Sequence, residues 1–309
     1  MNIKVLSVNT SEKKGTVKKP VESIQLNEIG VAGDAHSGRW HRQVSLLAIE
    51  SIQKFAAEAG RSISFGEFAE NITTSGLLLN ECRPLDRFLN DTVELEVTQI
   101  GKKCHGDNCS IFRETGNCVM PKEGIFARVI RNGQLKAGDE LSYLPKILNI
   151  HIITLSDRAS AGEYEDKSGP HIKLLSESFF KNIRRQVAIT NHLIPDDPDY
   201  LSQLIKESLA HTVDIIFTTG GTGIGPRDFT PDTIRPLLDK EIPGIMELIR
   251  VKYGLEKPNA LLSRGIAGVA GKTLIYSMPG SVKAVTEYCH EILPIIEHSL
   301  YMIEGIDSH

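Results

Sequence analysis

From residue 147 onward, short apolar runs alternate with longer amphipathic ones, and that rhythm is the strongest constraint on how the chain can fold. The runs at 147–155, 187–193, 213–218 and 273–278 are apolar on both faces of a strand, and helical patterns fill the intervals at 170–181, 198–210, 231–238, 244–253 and 282–303. Strands without a polar face must be covered on both sides, and strands that return through a helix pair in parallel. Residues 147–309 are therefore expected to form an α/β domain with a mainly parallel sheet covered by helices. Ligands of such sheets sit outside the carboxyl ends of the strands.

The first half has a different rhythm. Strand patterns at 3–8, 44–47, 71–74, 92–100, 124–130 and 140–144 are short, rich in Val, Ile and Thr, and punctuated by turns such as Gly133 and Gly138-Asp139. One helix is expected at 48–60, where Ile49, Ile52, Phe55 and Ala56 share a face and Gly60 is a stop. Short strands with few helices predict a β-barrel-like domain. The expected organisation is two domains, 1–144 and 147–309, joined by a short linker. Residues 1–146 carry 19 Lys and Arg against 18 Asp and Glu, and the whole chain has a net charge of -4. Neither value supplies the basic field that nucleic acid requires. No apolar run approaches the roughly 18 residues of a membrane span. The N-terminus alternates like a strand and lacks the apolar core of a signal peptide, so the expected compartment is the cytoplasm.

The strand ends of the second half carry its chemistry. The run at 213–218 leads into Thr219-Gly220-Gly221-Thr222-Gly223-Ile224-Gly225-Pro226-Arg227-Asp228, with Thr230 placed as the N-cap of the next helix. Glycines let backbone N–H groups approach an oxyanion, and a following helix N-terminus favours phosphate. Arg227 adds positive charge, and Asp228 suits a divalent cation beside the phosphates. The bland alternative is a tight strand-to-helix turn. The glycines do not have the G-x-G-x-x-G spacing of a dinucleotide site. The run 265–273 is no P-loop, because Ile266 stands where glycine is needed and Thr273 opens a strand. Other strand ends bring Ser156-Asp157, Asp196-Asp197 and Pro279-Gly280-Ser281 to the same edge. Asp157, Asp196 and Asp228 beside a phosphate cradle call for a cation, which points to Mg²⁺ and a nucleotide.

Residues 148–305 resemble the molybdopterin adenylyltransferase family. The resemblance rests on Leu155-Ser156-Asp157-Arg158-Ala159-Ser160-Ala161-Gly162, Ile194-Pro195-Asp196, Thr218-Thr219-Gly220-Gly221-Thr222-Gly223, Pro226-Arg227-Asp228-Phe229-Thr230-Pro231, Leu262-Ser263-Arg264 and Met278-Pro279-Gly280. It implies transfer of AMP from ATP to the terminal phosphate of molybdopterin with Mg²⁺, release of pyrophosphate, and a trimer. By motif, Asp196 and Asp228 correspond to the acidic catalytic and metal-binding pair. Ser156, Asp157, Gly220, Gly221, Thr222, Gly223, Arg227, Ser263, Arg264, Pro279, Gly280 and Ser281 correspond to substrate and nucleotide contacts. Phe229 and Ser281 depart from the commoner choices without removing a charge. A related domain serves in molybdate insertion, so an insertion protein and a non-catalytic molybdopterin carrier are the alternatives to adenylyl transfer.

In the first half, Cys104-His105-Gly106-Asp107-Asn108-Cys109 and Cys118 form the densest polar group, flanked by Lys102 and Lys103. Positive neighbours favour a reactive Cys104 thiolate. Zinc binding, a disulfide and plain burial remain open, while Cys82 and Cys289 read as buried. The loop from Gly30 to Ser45 holds His36, Arg39, His41 and Arg42, a composition suited equally to an anion or to solvent. Gly30–Asp34 with His36, Gln43-Val44-Ser45-Leu46, Glu70-Asn71-Ile72 and Lys103-Cys104 together resemble the MOSC domain. That resemblance implies a β-rich fold, binding of a molybdenum or tungsten cofactor, and sulfur transfer through Cys104. Both halves then point to molybdenum cofactor synthesis, with an apo-molybdoenzyme or another cofactor-synthesis protein as partner.

Overall fold

The computed structural model describes residues 1–102 and 118–306, so Cys104 and Cys109 lie outside the described residues. The chain divides into two compact units, Met1–Lys146, with which Ile306 groups, and Ile147–Gly305.

The first unit is a closed barrel. Its elements are β1 (Asn2–Thr10), β2 (Lys19–Val21), β3 (Ser23–Asn27), β4 (Gly30–Val31), β5 (Val44–Ala48), α1 (Ile49–Ala59), β6 (Ile72–Ser75), β7 (Arg87–Leu89), β8 (Glu94–Ile100), α2 (Met120–Glu123), β9 (Ile125–Arg131), β10 (Gly133–Lys136) and β11 (Glu140–Leu144). The strand order is β11-β7-β8-β9-β5-β6-β1, and β11 pairs back onto β1, which closes seven strands into a ring. The pairing of β5 with β6 is parallel, and α1 lies between them in sequence as the crossover. Inward residues of successive strands, among them Val5, Leu46, Leu95, Val97 and Leu141, fill the interior. The strand pattern does not reveal β2, β3, β4, β7 and β10, of two to five residues each. Gly133, expected as a turn, instead opens β10, where a Cβ would lie 2.2 Å from the Thr92 carbonyl oxygen. That close approach is what the glycine permits.

One ion pair is buried in this unit. The Lys18 ammonium lies 2.6 and 2.5 Å from the two Asp34 oxygens, and both side chains are 1% exposed. Asp34 also accepts the Ser11 and His36 amides at 3.0 and 2.9 Å. Burial alone would raise the Asp34 carboxyl, but bonds from His36 and Lys18 outweigh it and hold the group well below its usual range. Burial pushes Lys18 down, against the pull of Asp34.

The second unit is a six-stranded sheet of order β13-β12-β14-β17-β16-β15. Its strands are β12 (Ile147–Leu155), β13 (Gln186–Ile194), β14 (Ile215–Thr219), β15 (Lys240–Glu241), β16 (Ala267–Ala270) and β17 (Thr273–Met278). The first four in spatial order are parallel, β16 pairs antiparallel to β17, and β15 pairs antiparallel to β16. The expected α/β domain is therefore formed. The run 265–273 holds β16 and its return into β17 through Gly271, at φ 58°. The helices are α3 (Asp157–Ser160), α4 (Ser168–Asn182), α5 (Pro198–Ala210), α6 (Thr230–Ile234), α7 (Pro243–Gly254) and α8 (Val282–Ile303). Ile172 and Phe180 of α4, Met246 and Ile249 of α7, and Val285, Ile292 and Ile296 of α8 pack one face of the sheet. Leu201 and Ile205 of α5 and Ile234 of α6 pack the other. The helix expected at 231–238 is shorter, because it gives way to a 3-10 turn at Arg235–Leu237 around Pro236, which has no N–H to continue an α-helix.

Removing one partner of a buried ion pair strands a charge and costs about 3–5 kcal/mol. Lys18→Met should lower the stability of the first unit by about that amount, and Lys18→Met with Asp34→Leu should recover much of it. Trp40, the chain's one tryptophan, makes urea unfolding of this unit readable by fluorescence. A carboxyl held below its usual range contributes stability above the ordinary carboxylate range, and that contribution should fade as pH falls through and below about 4.

Candidate functional site

The C-terminal edge of the parallel strands is occupied by the glycine-rich loop after β14. Gly220 sits at φ 110°, where a Cβ would meet the Leu155 carbonyl oxygen at 2.5 Å. Gly221, at φ 62°, leaves room for the Thr230 hydroxyl, which a Cβ would meet at 2.5 Å. The Gly220 amide donates to the Met278 carbonyl at 3.1 Å, and the Thr219 hydroxyl donates to the Pro279 carbonyl at 2.9 Å. Thr230 is not the expected N-cap. It is the first residue of α6, and its hydroxyl donates to the Gly220 carbonyl at 2.9 Å while its amide reaches the Gly221 carbonyl at 3.1 Å.

Arg264 holds the far side of the loop. Its amide donates to the Thr222 carbonyl at 2.7 Å and its Nε to the Gly223 carbonyl at 2.7 Å. One terminal nitrogen reaches both Asp232 oxygens at 3.0 and 2.8 Å, and the other donates to the Asp228 carbonyl. The resemblance placed Arg264 among substrate contacts, but its guanidinium is committed to the protein, where a rigid planar fork fixes three segments at once. Three serines also have structural partners. Ser156 accepts the Ala159 amide at 3.2 Å and pairs with the Tyr164 hydroxyl at 2.9 Å. Ser281 caps α8 through the Ala284 amide at 3.2 Å, and Ser263 accepts the Tyr288 hydroxyl at 2.8 Å.

Two cavities open beside this loop. One, of about 580 Å³, is lined by Gly221–Gly225, Asp228, Ser263 and Pro279–Ser281, and by Tyr253, Lys257, Lys283 and Tyr288, which motif reading passed over. The other, of about 430 Å³, is lined by Ser156, Tyr164, Asp166, Ser168 and Thr219. Gly280 lines both. Asp166 fixes the wall of the second cavity by accepting the Thr154 hydroxyl at 2.7 Å and the Ser168 and Gly169 amides at 2.9 and 3.2 Å.

The three expected carboxylates do not form one cluster. The Asp196 amide donates to Asp157 Oδ1 at 2.9 Å, and the Asp157 amide lies 3.4 Å from Asp196 Oδ2. Arg227, 80% exposed, supplies the counter-charge at 3.5 Å from Asp157. Asp228 turns back on its own loop, accepting the Gly225 amide at 2.8 Å, and lines the larger cavity, which Asp157 and Asp196 do not. Among the described residues no group of three or more His, Cys, Asp or Glu is arranged to hold a metal ion. Mg²⁺ takes one or two carboxylates and completes its shell with water and substrate phosphates, a demand that Asp228 beside the loop amides fits.

In the barrel the motif residues mostly hold the fold. Gln43 donates to the Glu28 carbonyl and accepts the Val129 amide, both at 2.8 Å. Asn71 accepts the Ser45 amide at 3.2 Å. Glu70 is fully buried, with its carboxyl pushed up by burial although the Gly66 amide reaches it at 2.6 Å. Arg42 lies 4.8 Å above the Trp40 ring. Cys82 and Cys289 are buried, and burial pushes both thiols up to about 12. Cys118 is buried as well. No helix among the described residues is long and apolar enough to cross a membrane.

A mainly parallel sheet with a glycine loop and paired cavities at its carboxyl edge places the second unit among α/β domains whose ligand site lies beyond the strand ends. Residues 151–298 match the family model described as "Probable molybdopterin binding domain", and residues 33–142 match the MOSC domain. The chain is 34% identical over 159 residues to molybdopterin adenylyltransferase of Helicobacter pylori J99, covering 51% of this chain and 89% of that protein. It is 38% identical over 162 residues to gephyrin of Dictyostelium discoideum, covering 50% of this chain but 22% of that protein. Against the Drosophila melanogaster molybdenum cofactor synthesis protein cinnamon the identity is 35%, over 25% of its length. The chain thus spans about a quarter of those two curated relatives. The solved structure of the tungsten cofactor synthesizing protein MoaB from Pyrococcus furiosus is 34% identical, with 52% of this chain and 98% of that one covered and a TM-score of 0.46. The chain belongs to the molybdopterin-binding domain family and carries a MOSC domain ahead of that module.

Arg264→Lys keeps the charge and loses the fork. Loss of one charge-assisted hydrogen bond of about 1.5–3 kcal/mol should raise amide hydrogen exchange across residues 222–228 by about tenfold or more. Protection of β14 and β17 should be unchanged in the same measurement.

Proposed function

We propose that the second unit is a molybdopterin adenylyltransferase, which transfers AMP from ATP to the terminal phosphate of molybdopterin and releases pyrophosphate. The observation that carries this reading is the meeting of two cavities at Gly280 beside an immobilised glycine loop, since a two-substrate transfer needs two adjoining sites. An oxygen of the pterin's phosphate attacks the α-phosphorus of ATP, and the bond from that phosphorus to the bridging oxygen breaks. Catalysis of such a transfer is mostly positioning and charge neutralisation. The loop backbone at Gly221–Gly223, held by Arg264 and Thr230, orients anionic phosphate. Asp228 would hold Mg²⁺, which supplies charge neutralisation at the transferring group. Asp196 contributes by fixing Asp157, and through it Arg227, at the edge of the site. A trimer formed through the second unit belongs to the same reading, supported by an exposed apolar stripe of Leu248 and Val251 on α7 and Leu255 just beyond it.

Asp228→Asn keeps the acceptor for the Gly225 amide and removes the charge. Pyrophosphate release that depends on molybdopterin should fall by about 10² or more, with the unfolding midpoint unchanged. Turnover near wild type would remove Asp228 from the mechanism. Release of AMP that requires molybdate would instead support insertion chemistry, and tight pterin binding without turnover would support a carrier.

The MOSC domain is proposed to bind the same cofactor, with Cys104 as the thiol that carries sulfur. Support comes from Lys102, Lys103 and His105, whose charge favours thiolate. Cys104→Ser should leave adenylyl transfer intact in vitro and abolish cofactor maturation in cells. Full maturation with serine at position 104 would refute the assignment.

A further inference from the structure

The larger cavity holds a pair of cations that the reading above does not use. Lys257, just before the 3-10 turn Pro258–Leu262, and Lys283, in the first turn of α8, come from segments 26 positions apart in sequence and line the same wall. Lys283 and Glu287 hold Lys257 above the ordinary lysine value, and Lys257 pushes Lys283 below it. Glu287 lies 3.0 Å from the Lys257 ammonium. The charged groups lining the cavity are Arg250, Lys257 and Lys283 against Asp228 and Glu287, an excess of one positive charge. Arg250 is directed at backbone, 3.5 Å from the Ser263 carbonyl and 3.3 Å from that of Gly265. Glu287 offsets one of these two like charges, so the pair leaves a net positive charge on this wall, and the ammonium is a compact point-charge binder of phosphate.

We propose that Lys257 and Lys283 form a polyphosphate subsite, which takes the β- and γ-phosphates of the nucleoside triphosphate and then holds the departing pyrophosphate. This rests on the nucleotide-using reading of the unit. A polyphosphate spreads several charges over two or three linked groups, which matches two adjacent cations better than one. The arrangement divides the cavity: the glycine loop and Asp228 face the reacting phosphate, and the lysine pair faces the leaving group.

The test uses the full chain and inorganic tripolyphosphate as probe, titrated calorimetrically at low ionic strength. Lys257→Met with Lys283→Met should weaken tripolyphosphate binding at least tenfold. Lys252→Met removes an exposed charge that pairs with Glu291 and does not line the cavity, so it should stay within twofold of wild type. Equal binding by wild type and the double variant, or an equal loss in Lys252→Met, overturns the subsite. In turnover, the double variant should raise KM for ATP at least tenfold with KM for molybdopterin unchanged. A rise confined to molybdopterin overturns the assignment to the nucleotide. The calorimetric arm reads the lysine pair whether or not adenylyl transfer occurs, so failure of the subsite is distinguishable from failure of the proposed reaction.

Discussion

The second unit depends on one guanidinium. A loop with four glycines in six residues has high conformational entropy, and the phosphate cradle proposed for it works only if that entropy is lost before a ligand arrives. Arg264 does this by binding carbonyls on both sides of the loop and the carboxylate of Asp232 in α6. Thr230 closes the other side through the Gly220 and Gly221 carbonyls. Apart from the Gly220 and Gly225 amides, which go to the Met278 carbonyl and to Asp228, the loop is held through carbonyl oxygens, which are acceptors of no use to an anion. Binding a backbone by its acceptors and presenting its donors is the consistent arrangement for a site that receives phosphate.

The barrel answers a different constraint. Its closure through β11 and β1 leaves β2 at the margin of the sheet, and the Lys18 and Asp34 pair lies in the segments that flank the small strands β2 to β4. Those segments have few apolar residues, so a buried charge pair with backbone donors on the carboxylate fixes them where packing cannot. Such a pair adds little net stability compared with an apolar replacement, but it penalises any arrangement that separates its members.

What was legible in the sequence followed periodicity. The bounds of β12, β17, α5 and α8 coincide with the patterns read from residues alone, because each is long and its apolar spacing is unambiguous. The strands β3, β7 and β10 were not legible, since three to five residues carry too few positions to show alternation. The site was legible as a set of residues and not as a set of bonds. Arg264 stood out by motif, but its acceptors are main-chain carbonyls, which no side-chain pattern records. Lys257 and Lys283 had no motif at all. Their meeting depends on where a 3-10 turn and a helix start come together in space.

The pairing of Asp157 with Asp196 was recoverable from register. In the parallel ladder Leu155 is opposite Ile194, so the residues two positions beyond each strand end emerge side by side. Two carboxylates placed there would repel, and each is instead turned onto the other's amide. That exchange neutralises nothing by itself, which is why Arg227 reaches Asp157 from the glycine loop. An ion pair as exposed as this one is weak, so it can yield when an anion enters and competes for the guanidinium. The acidic pair therefore acts on the loop through Arg227, and the loop's own carboxylate, Asp228, is left facing the cavity. Two acidic positions that look alike in sequence thus have different places, one beside an arginine and the other in the cavity wall.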